Sequence, residues 1–288
     1  MQGQIIGNIS DLYKVKYENG YILCKARGLF RKEGSKPLVG DKVIIDLEKK
    51  IITKLLPRDN ELIRPPICNV NQALIVISVK KPRLDLYLLD KIISIITYNN
   101  IDIIICFTKL DLLDDQELIK MKEIISYYNN IGLKVITNND IDILLKLLKN
   151  KITVITGQSG VGKSSLLNKL DANLKLKTDE ISISRGRGKH TTKHIDLLEI
   201  NNGLIADTPG FSSLTFNDIS KEGIRDSFIE FRDIECKYRD CMHLKEDECR
   251  IKELVNNGII KESRYNNYQS FIKEKDDVYG KNSRFNSI

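Results

Sequence analysis

A glycine-rich segment at residues 157–164 has the residue types and spacing of a phosphate-binding loop. It reads GQSGVGKS, with four residues between the first glycine and the Gly-Lys-Ser end. The preceding KITVIT (151–156) is β-branched and apolar, which indicates a buried strand, and the following SSLLNKL (164–170) indicates a helix. Strand, glycine loop and helix are the context in which such a loop binds phosphate, so a chance glycine turn is the weaker interpretation.

The chemistry of this loop predicts a nucleoside triphosphate as ligand. Its glycines let successive backbone N–H groups turn inward toward phosphate oxygens, and the positive end of the following helix points to the same place. Lys163 would neutralise the β- and γ-phosphates, and the Ser164 hydroxyl would bind Mg²⁺. The predicted nucleotide-binding residues of the loop are Gly157, Gln158, Ser159, Gly160, Val161, Gly162, Lys163, Ser164 and Ser165.

A second segment, TKLD at 108–111, follows the apolar strand predicted at 101–107. Ligand loops of parallel sheets lie at the carboxyl ends of the strands. There, the Asp111 carboxylate would accept hydrogen bonds from N1–H and the N2 amino group of guanine, a donor pair that adenine lacks. The Lys109 stem would lie along the base. Thr108, Lys109, Leu110 and Asp111 are therefore predicted to bind and select GTP or GDP.

The third phosphate-side segment is DTPG at 207–210, after the apolar stretch 204–206. Asp207 would hold the Mg²⁺ shell, and Gly210 N–H would sense the γ-phosphate. An ordinary Pro-Gly turn is the alternative, and the phosphate loop upstream argues against it. A basic, glycine-broken loop (185–194) precedes it, in which Thr191 or Thr192 would complete the metal shell.

The order of these segments is unusual, because the base-reading segment precedes the phosphate loop. Ras-like GTPases have the base-reading segment last, so the sheet is predicted to be circularly permuted. Such a permutation is tolerated because the termini of a domain usually lie close together. The segment after Asp207, which responds to the γ-phosphate in GTPases, then leads directly into the last part of the chain. We therefore expect nucleotide state to set the pose of residues 213–288.

Four residues near the carboxyl terminus have metal-ligand spacing: Cys236, Cys241, His243 and Cys249. Three thiolates and one imidazole suit a closed tetrahedral Zn²⁺ site with no open position for catalysis, so we expect one structural zinc. Buried cysteines beside a surface histidine are the alternative. The other three cysteines are scattered, which favours a reducing compartment.

Composition favours a multidomain globular protein. The chain has 288 residues, 41% of them apolar and 30% charged, and contains neither an apolar window long enough for a membrane span nor a recognisable secretory signal. The cytoplasm is therefore the expected location.

Of the net charge of +7, residues 1–64 contribute most, with 13 Lys/Arg against 8 Asp/Glu. A basic domain hints at a nucleic-acid partner, although a merely lysine-rich surface explains the charge equally well.

The pattern predicts three domains. Residues 1–64 contain four or five short strands and indicate a small β-barrel, an OB-fold or an SH3-like barrel, with Lys14, Lys16, Lys25 and Arg27 among the exposed positions. Residues 65–212 alternate strands and helices and predict a parallel sheet covered on both faces. Residues 213–288 are predicted to be mainly helical around the zinc site, with Tyr265, Tyr268 and Ile272 of the last helix as core contacts.

These features together resemble the ribosome small-subunit-dependent GTPase A (RsgA) family over nearly the whole chain. The resemblance rests on the permuted order and on GQSGVGKSS (157–165), RGRGKHTT (185–192), DTPGF (207–211) and the Cys-x4-Cys-x-His-x5-Cys cluster. It implies an amino-terminal OB domain, a permuted GTPase domain and a zinc domain. It also implies a role in late maturation of the small ribosomal subunit, with GTP hydrolysis stimulated by that subunit. The expected partners are the small subunit and its 16S rRNA, and we expect the protein to be a monomer.

Two positions bear on mechanism. The family usually has Asn where this chain has Thr108, so guanine affinity is expected to be lower while Asp111 keeps selectivity. Phe211 stands where most Ras-like enzymes place the glutamine that orients the attacking water, so another group must do so. His190 adjoins the metal-shell threonines and is the candidate, as in the family. Lys163, Thr191, Thr192 and His190 are the predicted catalytic residues.

Two other functions remain open from the residues. A P-loop kinase or ATPase would use ATP and leave Asp111 without a purpose. A non-enzymatic RNA-binding scaffold would bind nucleotide only as a ligand. A GTPase, unlike the kinase or ATPase, would lose bound GTP in competition with GDP but not with ATP. Measuring phosphate release with and without small subunits would distinguish a GTPase from the scaffold.

Overall fold

The computed structural model describes residues 1–9, 11–28, 30, 34–62, 66–176, 197–207 and 215–285. For Asp207 and residues 277–285 it describes the backbone only. The predicted domain boundaries at 64/65 and 212/213 fall on residues outside these ranges, so they stay predictions.

The amino-terminal part is a closed five-stranded barrel. Its strands are β1 (Gln2–Ile9), β2 (Leu12–Tyr17), β3 (Gly20–Ala26), β4 (Lys42–Asp46) and β5 (Ile51–Leu55). The strand order is β1-β2-β3-β5-β4, with β4 returning to β1, and the fully buried Ile5, Val15 and Ile52 fill the interior. The predicted barrel is confirmed, and its closed five-stranded order is OB-like.

Strand β1 was not recognised in the sequence. Its pairing with β2 shifts register between Ile5 and Gly7, and Ile5 and the adjacent Ile6 are both buried. Such an irregularity interrupts the alternation by which a half-buried strand is recognised. The expectation of four exposed basic side chains is only half right: Lys25 and Arg27 are exposed, whereas Lys14 and Lys16 are half-buried.

The central part is a six-stranded sheet in the order β10-β9-β8-β11-β13-β12. Its strands are β8 (Gln72–Ser78), β9 (Asp102–Thr108), β10 (Lys134–Thr137), β11 (Ile152–Thr156), β12 (Leu197–Ile200) and β13 (Gly203–Asp207). Its helices are α1 (Leu86–Tyr98), α2 (Asp115–Asn130), α3 (Ile141–Leu148) and α4 (Lys163–Leu170). A further short ladder joins β6 (Glu61–Leu62) to β7 (Ile67–Cys68) ahead of the sheet.

Helices cover both faces of this sheet, as predicted. Along the fully buried strand β8, Ile75 packs in the cluster that includes α1 and α2, whereas its neighbours Leu74 and Val76 pack in the cluster that includes α3 and α4. The alternation follows from the two-residue period of a strand. Both faces being buried explains why β8 is a continuous apolar run.

The edge strand β12 departs from the parallel prediction, because it pairs antiparallel with β13. The connection is a two-residue turn at Asn201 and Asn202, both with positive φ (49° and 61°). Asparagine tolerates this region, and two such residues form the tight turn that matches the twist of a hairpin. The Asn-Asn-Gly run at 201–203 is the sequence signal for this hairpin.

The carboxyl-terminal part is mainly helical, as predicted. It contains α5 (Lys221–Asp226), α6 (Arg250–Asn256) and α7 (Glu262–Phe285). Tyr265, Tyr268 and Ile272 of α7 are buried in its core, which confirms their predicted role. Among the helices that the structure describes, none is both apolar and long enough to cross a bilayer.

A buried ion network joins this part to the central sheet. The Arg264 side chain of α7, 2% exposed, donates to Asp90 of α1 at 2.7 Å and to both oxygens of Glu230 at 2.7 and 2.9 Å. Asp90 also accepts from Tyr128 (2.5 Å) and Asn267 (2.6 Å). Burial disfavours the charged form and raises the pKa of Asp90, while the guanidinium opposes this shift.

Replacing the cation of this network should be costly. Arg264→Met would leave two buried carboxylates without a cation, and we expect the free energy of unfolding to fall by about 3–5 kcal/mol. Chemical denaturation followed by circular dichroism measures it. The control is Arg83→Met at an exposed position, which should change little. Equal effects of the two substitutions would contradict a stabilising role for the network.

Candidate functional site

The glycine loop joins β11 to α4, as predicted, and its backbone requires glycine at defined positions. Gly157 has φ +146°, and a Cβ there would lie 2.1 Å from the Val76 carbonyl oxygen. Gly160 and Gly162 also have positive φ, 77° and 98°. A side chain at Gly157 would displace the central strand β8, so the close approach of loop to strand depends on this glycine.

Lys163 and Ser164 lie in the first turn of α4, where backbone N–H groups lack partners within the helix. The Lys163 ammonium donates to the carbonyl oxygens of Gly157 and Gln158, at 2.7 Å each, so it reaches back across the loop. Ser164 is 2% exposed. A cation, a helix N-terminus and a buried hydroxyl at the end of one glycine loop suit a phosphate chain with its metal.

Thr108 and Lys109 contact this loop directly. The Thr108 hydroxyl, buried at the end of β9, donates to the Val161 carbonyl oxygen at 2.6 Å. The Lys109 ammonium donates to the Gly160 carbonyl oxygen at 2.7 Å and to that of Lys81. Because two adjacent residues hold two adjacent carbonyls, the position of the phosphate loop is coupled to that of the base-reading segment.

Asp111 lies in a short 3-10 turn (Leu110–Leu112) and is exposed. Its carboxylate is therefore accessible to a base, whereas the side chains of Thr108 and Lys109 are hydrogen-bonded to the glycine loop. The sequence suggested only that Thr108 lacks the amide of the family's asparagine. The structure shows in addition that its hydroxyl binds the glycine loop at Val161.

Asp207 ends β13, which pairs in parallel with β11 at Ile155. Its backbone therefore reaches the edge of the sheet from which the glycine loop begins. The Asp207 side chain, the segment 208–210 and the predicted residues His190, Thr191 and Thr192 lie outside the described residues.

The structure brings Cys236, Cys241, His243 and Cys249 together, with their ligand atoms all within 4.8 Å of one another. The Cys236 and Cys249 sulfurs are 4.0 Å apart and lie 3.5 and 3.4 Å from His243 Nδ1. A zinc tetrahedron with bonds of about 2.3 Å to sulfur and 2.0–2.1 Å to nitrogen has edges of about 3.8 and 3.6 Å. The donor set therefore fits zinc.

Tyrosines of α7 hold the loop that carries the imidazole. The Tyr265 hydroxyl donates to the His243 carbonyl oxygen at 2.6 Å, and that of Tyr268 donates to Met242. Burial lowers the pKa of His243, so its ring is neutral and able to donate a lone pair at pH 7. Burial raises the pKa of the Cys241 thiol to about 12, so a bound cation would be needed to hold its thiolate.

Comparison with known proteins decides the family. The RsgA GTPase model matches residues 55–217, and the model of the RsgA N-terminal domain matches 2–51. The "Small ribosomal subunit biogenesis GTPase RsgA" of Bacillus cereus is 44% identical over 283 residues, covering 95% of this chain and 97% of the relative. That of Bacillus subtilis is 43% identical over 291 residues, covering 96% and 98%.

The chain belongs to the RsgA GTPase family. Solved structures agree: YloQ, described as a circularly permuted GTPase, superposes with a TM-score of 0.83 at 38% identity, covering 96% of this chain and 95% of that one. YjeQ from Thermotoga maritima gives 0.82 at 36% identity, covering 95% and 98%. The permuted order inferred from the motifs is thus the architecture of the family, and membership makes the chain a GTP hydrolase.

The sequence does not reveal the contacts of one buried lysine in the carboxyl-terminal part. Lys275 of α7 is 3% exposed, and its ammonium donates to the carbonyl oxygens of Phe216 (2.8 Å) and Asn217 (2.5 Å), among the first described residues after Asp207. A lysine in a charged helix is typical of an exposed position. Only the folded backbone shows that it holds the segment leaving the nucleotide site.

The Thr108 contact predicts a specific binding defect. Thr108→Val keeps the volume but removes the hydrogen bond to Val161, so GDP and GTP should both bind about fivefold more weakly, as expected for about 1 kcal/mol. Discrimination against ATP should persist, because Asp111 is untouched. Fluorescent-nucleotide titration with ATP competition measures both quantities. Thr108→Ser keeps the hydroxyl and is the control; unchanged affinity in the valine variant would refute the coupling.

Proposed function

We propose that this GTP hydrolase of small-subunit maturation binds the small ribosomal subunit directly and acts late in its maturation, and that the subunit stimulates its turnover. The observation that carries the proposal is the pairing of Thr108 with the Val161 carbonyl, which joins a base-reading loop and a phosphate loop in the permuted order. Relatives that are 43–44% identical over at least 95% of this chain are named small ribosomal subunit biogenesis GTPases.

In the proposed nucleotide site, Asp111 reads guanine and the glycine loop holds the phosphates. Gln158, Ser159, Gly160, Val161 and Gly162 supply backbone N–H groups, and Ser165 extends the first turn of the helix. Thr108, Lys109 and Leu110 position the loop and the base. The 2.7 Å contacts of Lys163 with the loop carbonyls support the proposal that its charge neutralises the β- and γ-phosphates.

Ser164 and Asp207 would hold Mg²⁺, with Thr191 or Thr192 completing its shell. When bound, the ion neutralises charge that develops on the phosphate oxygens. The burial of the Ser164 hydroxyl at the start of α4 fits a ligand held inside the loop. Because the phenyl ring of Phe211 offers no hydrogen bond to water, we assign the positioning of the attacking water to His190.

The proposed partners are the small subunit and its 16S rRNA, contacted by the OB-like barrel and by the carboxyl-terminal part. Supporting this, the barrel is basic and keeps Lys25 and Arg27 exposed. We propose that the protein acts as a monomer in the cytoplasm, where ribosomal subunits are assembled.

We propose one structural zinc at Cys236, Cys241, His243 and Cys249. The near-tetrahedral edges support it, and four protein ligands leave no position for a substrate. The coupling of nucleotide state to residues 213–288 also remains a proposal. The contacts of Lys275 with Phe216 and Asn217 support a route through α7, since a shift of the preceding segment would reach this helix first.

Phosphate release tests the enzymatic proposal. Purified protein should hydrolyse GTP slowly, and small subunits should accelerate it sharply. His190→Ala should lower the stimulated rate about 10²-fold while leaving GTP affinity intact, because only the positioning of water is lost. His194→Ala in the same loop is the control. Hydrolysis of ATP in preference to GTP would favour the kinase or ATPase alternative, and GTP binding without any release would favour the scaffold.

Metal analysis tests the zinc proposal. Cys241→Ser should reduce bound zinc from about one ion per chain to a small fraction, because a neutral hydroxyl replaces a thiolate. Limited proteolysis should then cut between residues 232 and 250. Cys24→Ala removes a buried barrel thiol and should leave zinc unchanged. Full zinc content in the Cys241 variant would contradict the assigned ligand.

A further inference from the structure

The outer face of β2 and β3 combines cations with an aromatic ring. The register places Lys14 opposite Leu23 and Lys16 opposite Tyr21. The Lys14 ammonium lies 4.9 Å from the centre of the Tyr21 ring, and Tyr21 is 51% exposed. We call Lys14, Lys16, Tyr21, Leu23 and Lys25 the basic–aromatic face. Such a combination suits a nucleic-acid strand, which offers phosphates and stacking bases.

A carboxylate from the central sheet already binds to this face. Glu199, on the edge strand β12, accepts from the Lys16 ammonium at 2.5 Å through one oxygen and from the Tyr21 hydroxyl at 2.5 Å through the other. Lys16 and Glu199 are 183 residues apart in the chain. Hydrogen bonds from Lys16 and Tyr21 lower the pKa of Glu199, so it remains an anion at neutral pH.

The two donors that Glu199 occupies are ordinary donors to nucleic-acid phosphates. Lysine and tyrosine side chains commonly contact phosphate oxygens, and a phosphodiester presents two anionic oxygens as a carboxylate does. Glu199 and an RNA phosphate therefore compete for the same pair of groups. The contact is also easy to displace, because the Lys16 and Glu199 side chains are 35% and 34% exposed and such ion pairs are weak.

We propose that Glu199 is an intramolecular competitor of RNA: it covers Lys16 and Tyr21 of the basic–aromatic face until an RNA phosphate displaces it. The proposal rests on the proposed function, since it assumes that the barrel contacts ribosomal RNA. It makes β12 a latch between barrel and sheet. The latch lowers the affinity for RNA in general and favours sites with a phosphate positioned to replace the carboxylate.

The test compares Glu199→Gln with Glu48→Gln in the full-length chain. Both remove one negative charge, but Glu48 is an exposed residue following β4 in the barrel, remote from the latch in sequence. Transcribed 16S rRNA is the probe, and filter binding is measured across a range of KCl concentrations. E199Q should bind about 3–10-fold tighter than E48Q, because RNA no longer has to displace the carboxylate. The log–log salt slope should be the same for both variants, because Lys16 contacts the same phosphate in each complex.

A second variant assigns the gain to the freed lysine. In the double variant E199Q/K16Q, the gain in affinity should disappear, and the salt slope should become shallower by about 0.7–0.9 because one phosphate contact is lost. Thermal unfolding and nucleotide affinity should match the wild type throughout, which verifies the fold. Equal binding by E199Q and E48Q, or a gain that survives K16Q, would overturn the latch. If the wild type and all variants fail to bind 16S rRNA, the RNA contact of the proposed function fails as well.

Discussion

Parallel pairing of β8 with β9 on one side and β11 on the other is the constraint on which the nucleotide site depends. It brings two loops that are about fifty residues apart in the chain to one edge of the sheet. The Thr108 hydroxyl and the Val161 carbonyl then meet at 2.6 Å, and Gly157 allows the phosphate loop to approach β8. The segments predicted to read the base and to bind phosphate consequently lie at one edge of the sheet, although circular permutation has reversed their order in the chain.

The features that could be predicted from the sequence are those whose cause is local. Glycine spacing and a preceding apolar strand predict the phosphate loop, because backbone conformation needs these residues there. The spacing of Cys236, Cys241, His243 and Cys249 predicts a tetrahedral donor set, and the structure brings all four ligand atoms within 4.8 Å of one another. Continuous apolar strands separated by helices predict a sheet with two covered faces, because each strand carries the full pattern within itself.

The features that could not be predicted depend on partners distant in the chain or on broken patterns. Nothing near Lys275 signals that its ammonium is buried against the Phe216 and Asn217 carbonyls. The sequence predicts Lys16 to be an exposed barrel residue, but in the folded protein it is half-buried and pairs with Glu199 of the central sheet. The irregular register of β1 interrupts the alternation by which a strand is recognised. The turn at Asn201–Asn202 makes β12 antiparallel to its neighbour β13. In each case tertiary contact, rather than residue type, decides the environment.

The Asp90–Arg264 pair has a consequence for how the protein is made. Arg264 is synthesised 174 residues after Asp90, which at about 5–20 residues per second is a delay of about 10–35 s. Until then the face of α1 that meets the carboxyl-terminal part carries a carboxylate with no cation to pair with. This face is therefore covered only when translation is nearly complete, and a chain released early would retain an uncovered, charged helix face.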